Sequence, residues 1–277
     1  METLSKENFS KLSEYVYRKC GISLEEDKHF DKVQKKLHQR YLSLKVDNFR
    51  RYFFVLRFED KDGNEFQELV NMLTVNETYF FRENYQFEIL VKNILHDIDR
   101  VKAKNQPIRI LSAPCSSGEE PYSIAIHLLE ETKLIEKRDF EIIGIDIDSQ
   151  IIERAKKGIY NDRSLHAIPP QLVPRYFTKA AGFYTLKSDI RDAISLQVCN
   201  VYDKKAISAL GKFDVIFSRN MLIYFDDASK YEVAMTFFEM LNPGGYILLG
   251  HTEYMSRITP VFEAKKIDQH LVYQKPI

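Results

Sequence analysis

Residues 108–126 read "IRILSAPCSSGEEPYSIAI": an apolar, β-prone run that breaks at Ala113-Pro114 and resumes with helical character after Gly118. Such a segment is a strand handing over to a helix through a tight loop. A second apolar run, "FEIIGIDID" (140–148), follows and completes a strand–helix–strand unit. Further runs, "ISLQVCNV" (194–201), "FDVIFSRN" (213–220) and "GGYILLGHTE" (244–253), alternate with helical stretches. That alternation predicts an α/β domain with helices on both faces of a parallel sheet.

Upstream, apolar positions recur at helical spacing: Phe9, Leu12 and Val16, then Phe30, Val33, Leu37, Tyr41 and Leu44, with Gly21 and Gly63 as punctuation. Residues 1–75 therefore read as a small all-α domain, 76–107 as a linker with a connecting helix, and 108–277 as the α/β domain. Within the latter, "YFTKAAGFYTLK" (176–187) gives two β-prone runs around Ala181-Gly182. A hairpin excursion, a β-subdomain at about 172–198, is expected there.

With 277 residues, 44% hydrophobic and 29% charged, the chain can bury a sizeable core. No apolar run approaches the roughly 18 residues that span a bilayer, and "METLSKENFS" lacks a signal-peptide profile. Cys20, Cys115 and Cys199 are too scattered for a disulfide framework or a zinc site, so a cytoplasmic protein without a metal centre is expected. Forty basic and forty acidic residues cancel overall. Between 28 and 57, however, nine basic residues face two acidic ones. Lys28, Lys32, Lys35, Lys36 and Arg40 share one side of a helical wheel, either a solvated face or a docking face for an acidic partner. Neutral charge and the lack of a DNA-binding motif argue against nucleic acid.

The loop 113–120 admits two explanations. Ser116 and Ser117 stand three residues before Glu119 and Glu120, a capping-box spacing, and Pro121 suits a first helical turn. Alternatively the loop holds a ligand, with Asp146 at the end of the next strand placed to bind a ribose diol. A dinucleotide needs glycines and free helix-end amides for its pyrophosphate. One glycine and two glutamates repel phosphate and suit a cationic, phosphate-free nucleoside such as S-adenosylmethionine. Ser218-Arg219-Asn220 closes a third strand where open α/β sheets bind ligands, and Tyr224 lies one turn beyond. In "NETYFFRE" (76–83), polar Asn76, Thr78 and Arg82 interleave with aromatics that either pack between domains or line a site.

Together, "NETYFFRE", "SAPCSSGEEPYSIAI", "GIDIDSQIIERAKKGIY", "FDVIFSRNMLIYFD" and "LNPGGYILLGHTEYM" resemble the CheR-type chemotaxis receptor methyltransferases, in family order over most of 76–255. The resemblance implies a Rossmann-like methyltransferase domain with a small β-hairpin subdomain behind a receptor-docking all-α domain. It implies transfer of the methyl group of S-adenosylmethionine to receptor glutamates, giving γ-methyl esters and S-adenosylhomocysteine. Carried over, Asn76, Thr78 and Arg82 contact the cofactor from the linker, and Glu120, with Glu119, faces its amino end. Asp146 holds the ribose, Asn200 and Val201 flank the adenine, and Arg219 and Asn220 lie near the reacting end. Arg82 and Tyr224 line the catalytic centre. Some members of the family grip a receptor's C-terminal tether with the hairpin. The brief turn "TKAAGFY" with Gly182 alone points instead to docking on the receptor's helical bundle.

Overall fold

The computed structural model describes residues 4–277; residues 1–3 of the expected helical domain lie outside the described part. Four helices open the chain: α1 (Lys6–Cys20), α2 (Glu26–Leu44), α3 (Phe49–Phe54), which widens into a π-turn over Val55–Glu59, and α4 (Asn64–Leu73). The start of α1 follows from Ser5, whose hydroxyl accepts the Asn8 N–H, and its end from Gly21 at φ 72°. Its buried stripe, Phe9, Leu12, Val16 and Cys20, meets Val33, Leu37 and Tyr41 of α2 and Tyr52 and Leu56 beyond.

The basic face of α2 differs from the helical-wheel expectation at one end. Lys28, Lys32 and Lys35 are exposed and Lys36 is half-buried. Arg40 does not belong to this docking face, because α4 brings Glu65 and Glu68 against it. The Arg40 guanidinium forks onto the Glu65 carboxylate, and the pair is 14% and 7% exposed. Periodicity located the arginine; it could not show that a later helix carries its counter-ion.

The connecting segment forms α5 (Tyr85–Ile89), a π-turn at Leu90–Ile94 and α6 (Leu95–Val101). In chain order the strands are β1 (Ile108–Ser112), β2 (Phe140–Asp146), β3 (Ile159–Tyr160), β4 (Phe177–Ala180), β5 (Phe183–Leu186), β6 (Ser195–Val198), β7 (Phe213–Ser218), β8 (Leu241–Leu249), β9 (Glu263–Ile267) and β10 (His270–Gln274). Seven of them form the main sheet in the order β6-β2-β1-β7-β8-β10-β9. The first five of that order run parallel, with α7 (Glu119–Glu131) crossing from β1 to β2 and α8 (Ser149–Lys157) following β2. Two apolar clusters cover the sheet, one centred on Ile110, Ile124 and Phe217, the other on Leu111, Ile216 and Phe237.

Two features depart from the sequence reading. The sheet is not wholly parallel, since β10 pairs antiparallel with β8 and carries β9 at its edge. The short, exposed "EAKKI" of β9 is the charged type of strand that blunts a sheet edge. The β-subdomain also has other limits than 172–198. β3 joins the hairpin in a β3-β5-β4 sheet, whereas β6 pairs with β2 in the main sheet. Among the described residues, no helix is long and apolar enough to cross a membrane.

Breaking a mostly buried ion pair leaves an uncompensated charge. Arg40→Ala is therefore expected to cost about 3 kcal/mol in urea denaturation, against less than about 0.5 kcal/mol for Lys32→Ala on the exposed face.

Candidate active site

A cavity of about 260 Å³ opens outside the carboxyl ends of β1, β2, β6 and β7. In β6-β2-β1-β7-β8 the chain winds one way from β1 and then the other, and crevices at such switch points hold ligands. Strand ends contribute Ser116, Asp146, Val201 and Arg219; the linker contributes Asn76, Thr78 and Arg82; the helical domain contributes Cys20, Ile22 and Leu73.

The floor is a buried polar cluster. Glu120, in the first turn of α7, accepts hydrogen bonds from the Ser112 hydroxyl (2.7 Å) and Arg219 Nη1 (3.0 Å). Burial pushes its pKa up and the adjacent Arg219 pulls it back. Arg219 also donates Nη2 to the Arg82 carbonyl (2.6 Å), lies 3.5 Å from Glu83 Oε2 and covers the Phe87 ring at 5.5 Å. Asp146 ends β2, its Oδ2 accepting the Ser116 N–H (2.9 Å) and its Oδ1 the Asp148 N–H (3.0 Å). Burial pushes this carboxyl up to about 6, while the two backbone N–H groups pull it down.

Glu83 and Glu120 thus share a single buried guanidinium, Asp146 adds a third buried carboxyl held by backbone N–H groups, and these acidic groups outnumber the cation. Phosphate is disfavoured there and a cationic group is favoured. Ser116 Oγ and Arg219 Nε are buried without partners, so polar valences remain for a ligand. Ile145, Val201 and Pro114 supply an apolar wall for a base. These residues fit S-adenosylmethionine in charge and polarity. Non-glycine residues at positive φ cluster here as well: Phe81 (61°), Glu83 (52°), Ser116 (48°) and Asn220 (57°). Such backbone strain gathers at functional sites and persists only where surrounding contacts impose it.

The linker and the helical domain are tied to the cavity by hydrogen bonds. Asp148 caps α8 through Oδ1, while Oδ2 accepts from Thr74 (2.9 Å) and Asn76 (2.7 Å). Thr78 lines the cavity, and Arg82 donates to the Glu77 carbonyl (2.9 Å) beside Tyr79. Asn200 donates Nδ2 to the Lys19 carbonyl (2.9 Å) at the end of α1. The Ser23 N–H donates to the Tyr224 carbonyl (3.0 Å), and Ile22 bridges to Phe225. Asn220 and Tyr224 stand on the loop after β7, at the cavity wall.

All the expected site residues line this cavity except Glu119. Its Oε2 accepts from Ser117 (2.6 Å) and its Oε1 from Ser164 (3.1 Å), away from the cofactor crevice. Neighbours on a helix point about 100° apart, so only one of two adjacent glutamates can face the cavity. The serine cap is not formed either: Gly118, at φ 92°, is the N-cap and no side chain caps it. Sequence reasoning missed Asp148 and Glu253. Asp148 stands just before "SQIIERA", a helix-start signal, whereas nothing local marks Glu253.

Residues 7–74 match the family description "CheR methyltransferase, all-alpha domain", and residues 76–271 match "CheR methyltransferase, SAM binding domain". The chain is 45% identical over 270 residues to chemotaxis protein methyltransferase 2 of Vibrio cholerae, covering 97% of this chain and 93% of the relative. It is 32% identical over 266 residues to the chemotaxis protein methyltransferase of Salmonella typhimurium, covering 95% and 88%.

Gly21 is where the helical domain meets the site. A Cβ there would lie 2.8 Å from the Tyr202 ring and 3.0 Å from that of Phe225, at a φ of 72°. Gly21→Ala is expected to cost about 1–3 kcal/mol of stability. It is also expected to weaken S-adenosylhomocysteine binding several-fold by calorimetry, while Gly63→Ala, at a comparably positive φ in open space, leaves binding unchanged.

Proposed function

The chain belongs to the CheR methyltransferase family, and from that premise we propose that it methylates glutamate side chains of methyl-accepting chemotaxis receptors, with Arg82 and Tyr224 at the catalytic centre. The observation that carries the residue assignments is the polar division of the cavity. Its floor is acidic around Glu120 and Asp146, and its rim carries Arg82 and the 37% exposed Tyr224.

In this reading Glu120 holds the cofactor's cationic amino end, and Asp146 accepts from the ribose hydroxyls. Asn200 and Val201 bound the adenine, while Asn76 and Thr78 close over it from the linker. S-Adenosylmethionine supplies a methyl group activated on a sulfonium. A substrate glutamate, with a pKa near 4.3, is already the carboxylate nucleophile at neutral pH, so no general base is required. Burial pushes the Tyr224 hydroxyl above its ordinary pKa, with Arg82 pulling the other way. The phenol therefore stays protonated and donates. Arg82 and Tyr224 present cationic and neutral donors to one carboxylate, and orienting it in line with the methyl group is the main catalytic lever. The carboxylate oxygen bonds to the methyl carbon, the carbon–sulfur electron pair returns to sulfur, and no proton moves.

For the receptor, the proposed docking face reduces to Lys32, Lys35 and Lys36, with Lys28 shared with Glu25 at 2.7 Å. A receptor helix that presents carboxylates for methylation has the complementary charge. The Ala181-Gly182 hairpin turn is brief, which favours the bundle over a tether as the docking target.

Tritiated methyl transfer to a receptor cytoplasmic fragment should give base-labile label; alkali-stable label would sink the ester assignment. Tyr224→Phe should lower kcat about ten- to hundredfold, with cofactor affinity changed far less. Lys32→Glu/Lys35→Glu should raise KM for the receptor fragment and flatten its dependence on ionic strength.

Asp146 also sets a pH dependence. Its folded-state pKa is about 6, raised from 3.8, so the carboxylate form that the ribose needs is lost as pH falls through 6. The unliganded fold behaves oppositely, since a raised carboxyl pKa contributes stability at low pH that fades as pH rises. Cofactor affinity should therefore weaken below about pH 6, and Asp146→Asn should be weaker throughout with that dependence removed.

A further inference from the structure

The loop that leaves β7 carries Arg219, Asn220 and Tyr224 but has little regular structure beyond one 3-10 turn at Leu222–Tyr224. One residue holds its first half, Asn220–Leu222, from beneath. Glu253, which follows β8 and is 8% exposed, accepts the N–H groups of Asn220 (2.8 Å) and Gly250 (2.9 Å) on Oε2. Its Oε1 accepts the N–H of Leu222 (2.8 Å). No cation pairs with this carboxylate among the described residues. Burial of a lone carboxylate is costly, and that cost is offset here only while all three backbone donors converge. Convergence in turn fixes Asn220 at φ 57°, the turn that swings the chain from Arg219 in the floor toward Tyr224 at the rim. The fit leaves no slack. A Cβ on Gly250 would lie 2.9 Å from both Glu253 Oε2 and Asn220 Nδ2.

We infer that Glu253 is a positioning residue for methyl transfer: its carboxylate fixes the Asn220–Leu222 backbone and thereby the direction in which Tyr224 meets the substrate. The inference rests on the reading of Tyr224 given above. Glu253 touches neither the cavity nor a reacting atom; it acts through the loop.

Glu253→Gln is nearly isosteric and separates this role from simple packing. Whichever way the amide turns, its NH₂ meets at least one of the three N–H donors, and the loop loses its single conformation. The full-length enzyme is assayed with S-adenosylmethionine and a receptor cytoplasmic fragment, alongside Tyr224→Phe and the double variant. The expected result is a kcat at least about tenfold lower, KM for the cofactor within about threefold, and less than a twofold further loss when Glu253→Gln is added to Tyr224→Phe. A kcat within twofold of wild type, or losses that multiply fully in the double variant, would overturn the inference. Tyr224→Phe alone tests the catalytic tyrosine: wild-type kcat there sinks that assignment and with it the route through Tyr224, whereas a lowered kcat there beside a wild-type kcat for Glu253→Gln overturns the role of Glu253 alone. Should Glu253→Gln fail to fold, Glu253→Asp keeps the charge, shortens the reach and is judged by the same kcat and coupling criteria.

Discussion

The site depends on one buried guanidinium. Arg219, 5% exposed, ties Glu120 on α7, Glu83 and the Arg82 carbonyl in the linker, and the Phe87 ring on α5 into one cluster at the end of β7. A charge so buried is tolerated only with partners on several sides, and here the partners come from two separate chain segments, residues 82–87 and the first turn of α7. The linker therefore cannot drift from the sheet without stranding Arg219. The same cluster leaves Glu120 with an unspent share of negative charge toward the cavity. Structural cohesion and preference for a cation are two consequences of one arrangement.

The second constraint is the seam between the all-α and α/β domains. Asp148 does two tasks with its two oxygens, capping α8 and holding Thr74 and Asn76, so the helix start and the linker are set together. Asn71 and Gln67 of α4 continue this seam to Ser149 and to the Ile147 carbonyl. On the opposite rim, Ser23 and Ile22 hold the Tyr224–Phe225 backbone. The helical domain is thus a wall of the cavity as well as a surface for a partner. The basic face of α2 lies on the same domain that fixes the loop bearing Tyr224.

Much of this was legible in residue order because the signals are local. Alternating apolar runs predicted β1, β2, β6, β7 and β8, and acidic or polar residues at their ends predicted where the cavity opens. What was not legible involves partners distant in sequence. Arg40 looked like part of a docking face until α4 supplied Glu65, 25 positions later. Glu253 carries no motif, since its role depends on N–H groups 31 and 33 positions upstream that converge only after folding. Glu119 was misplaced for a geometric reason, as the charge argument held for the pair while helical rotation admits one. β9 was missed because a lysine-rich edge strand lacks the apolar pattern that identified the others, and β10 because its apolar run, Leu271–Tyr273, is only three residues long.

The polarity of the cavity also bears on rate. Carboxylate and sulfonium lose their opposite charges as the methyl group moves, so strong dipoles at the reacting centre stabilise the reactants more than the transition state. The densest charge lies in the floor, around Glu120, Arg219 and Asp146, where it can grip the ends of a cofactor that do not react. The rim instead offers Tyr79, Tyr224, Ile223 and a single cation, Arg82. Binding energy collected at the floor can position the methyl group without deepening the ground state at the point of transfer. A rim richer in charge would hold the receptor glutamate more tightly and turn it over more slowly.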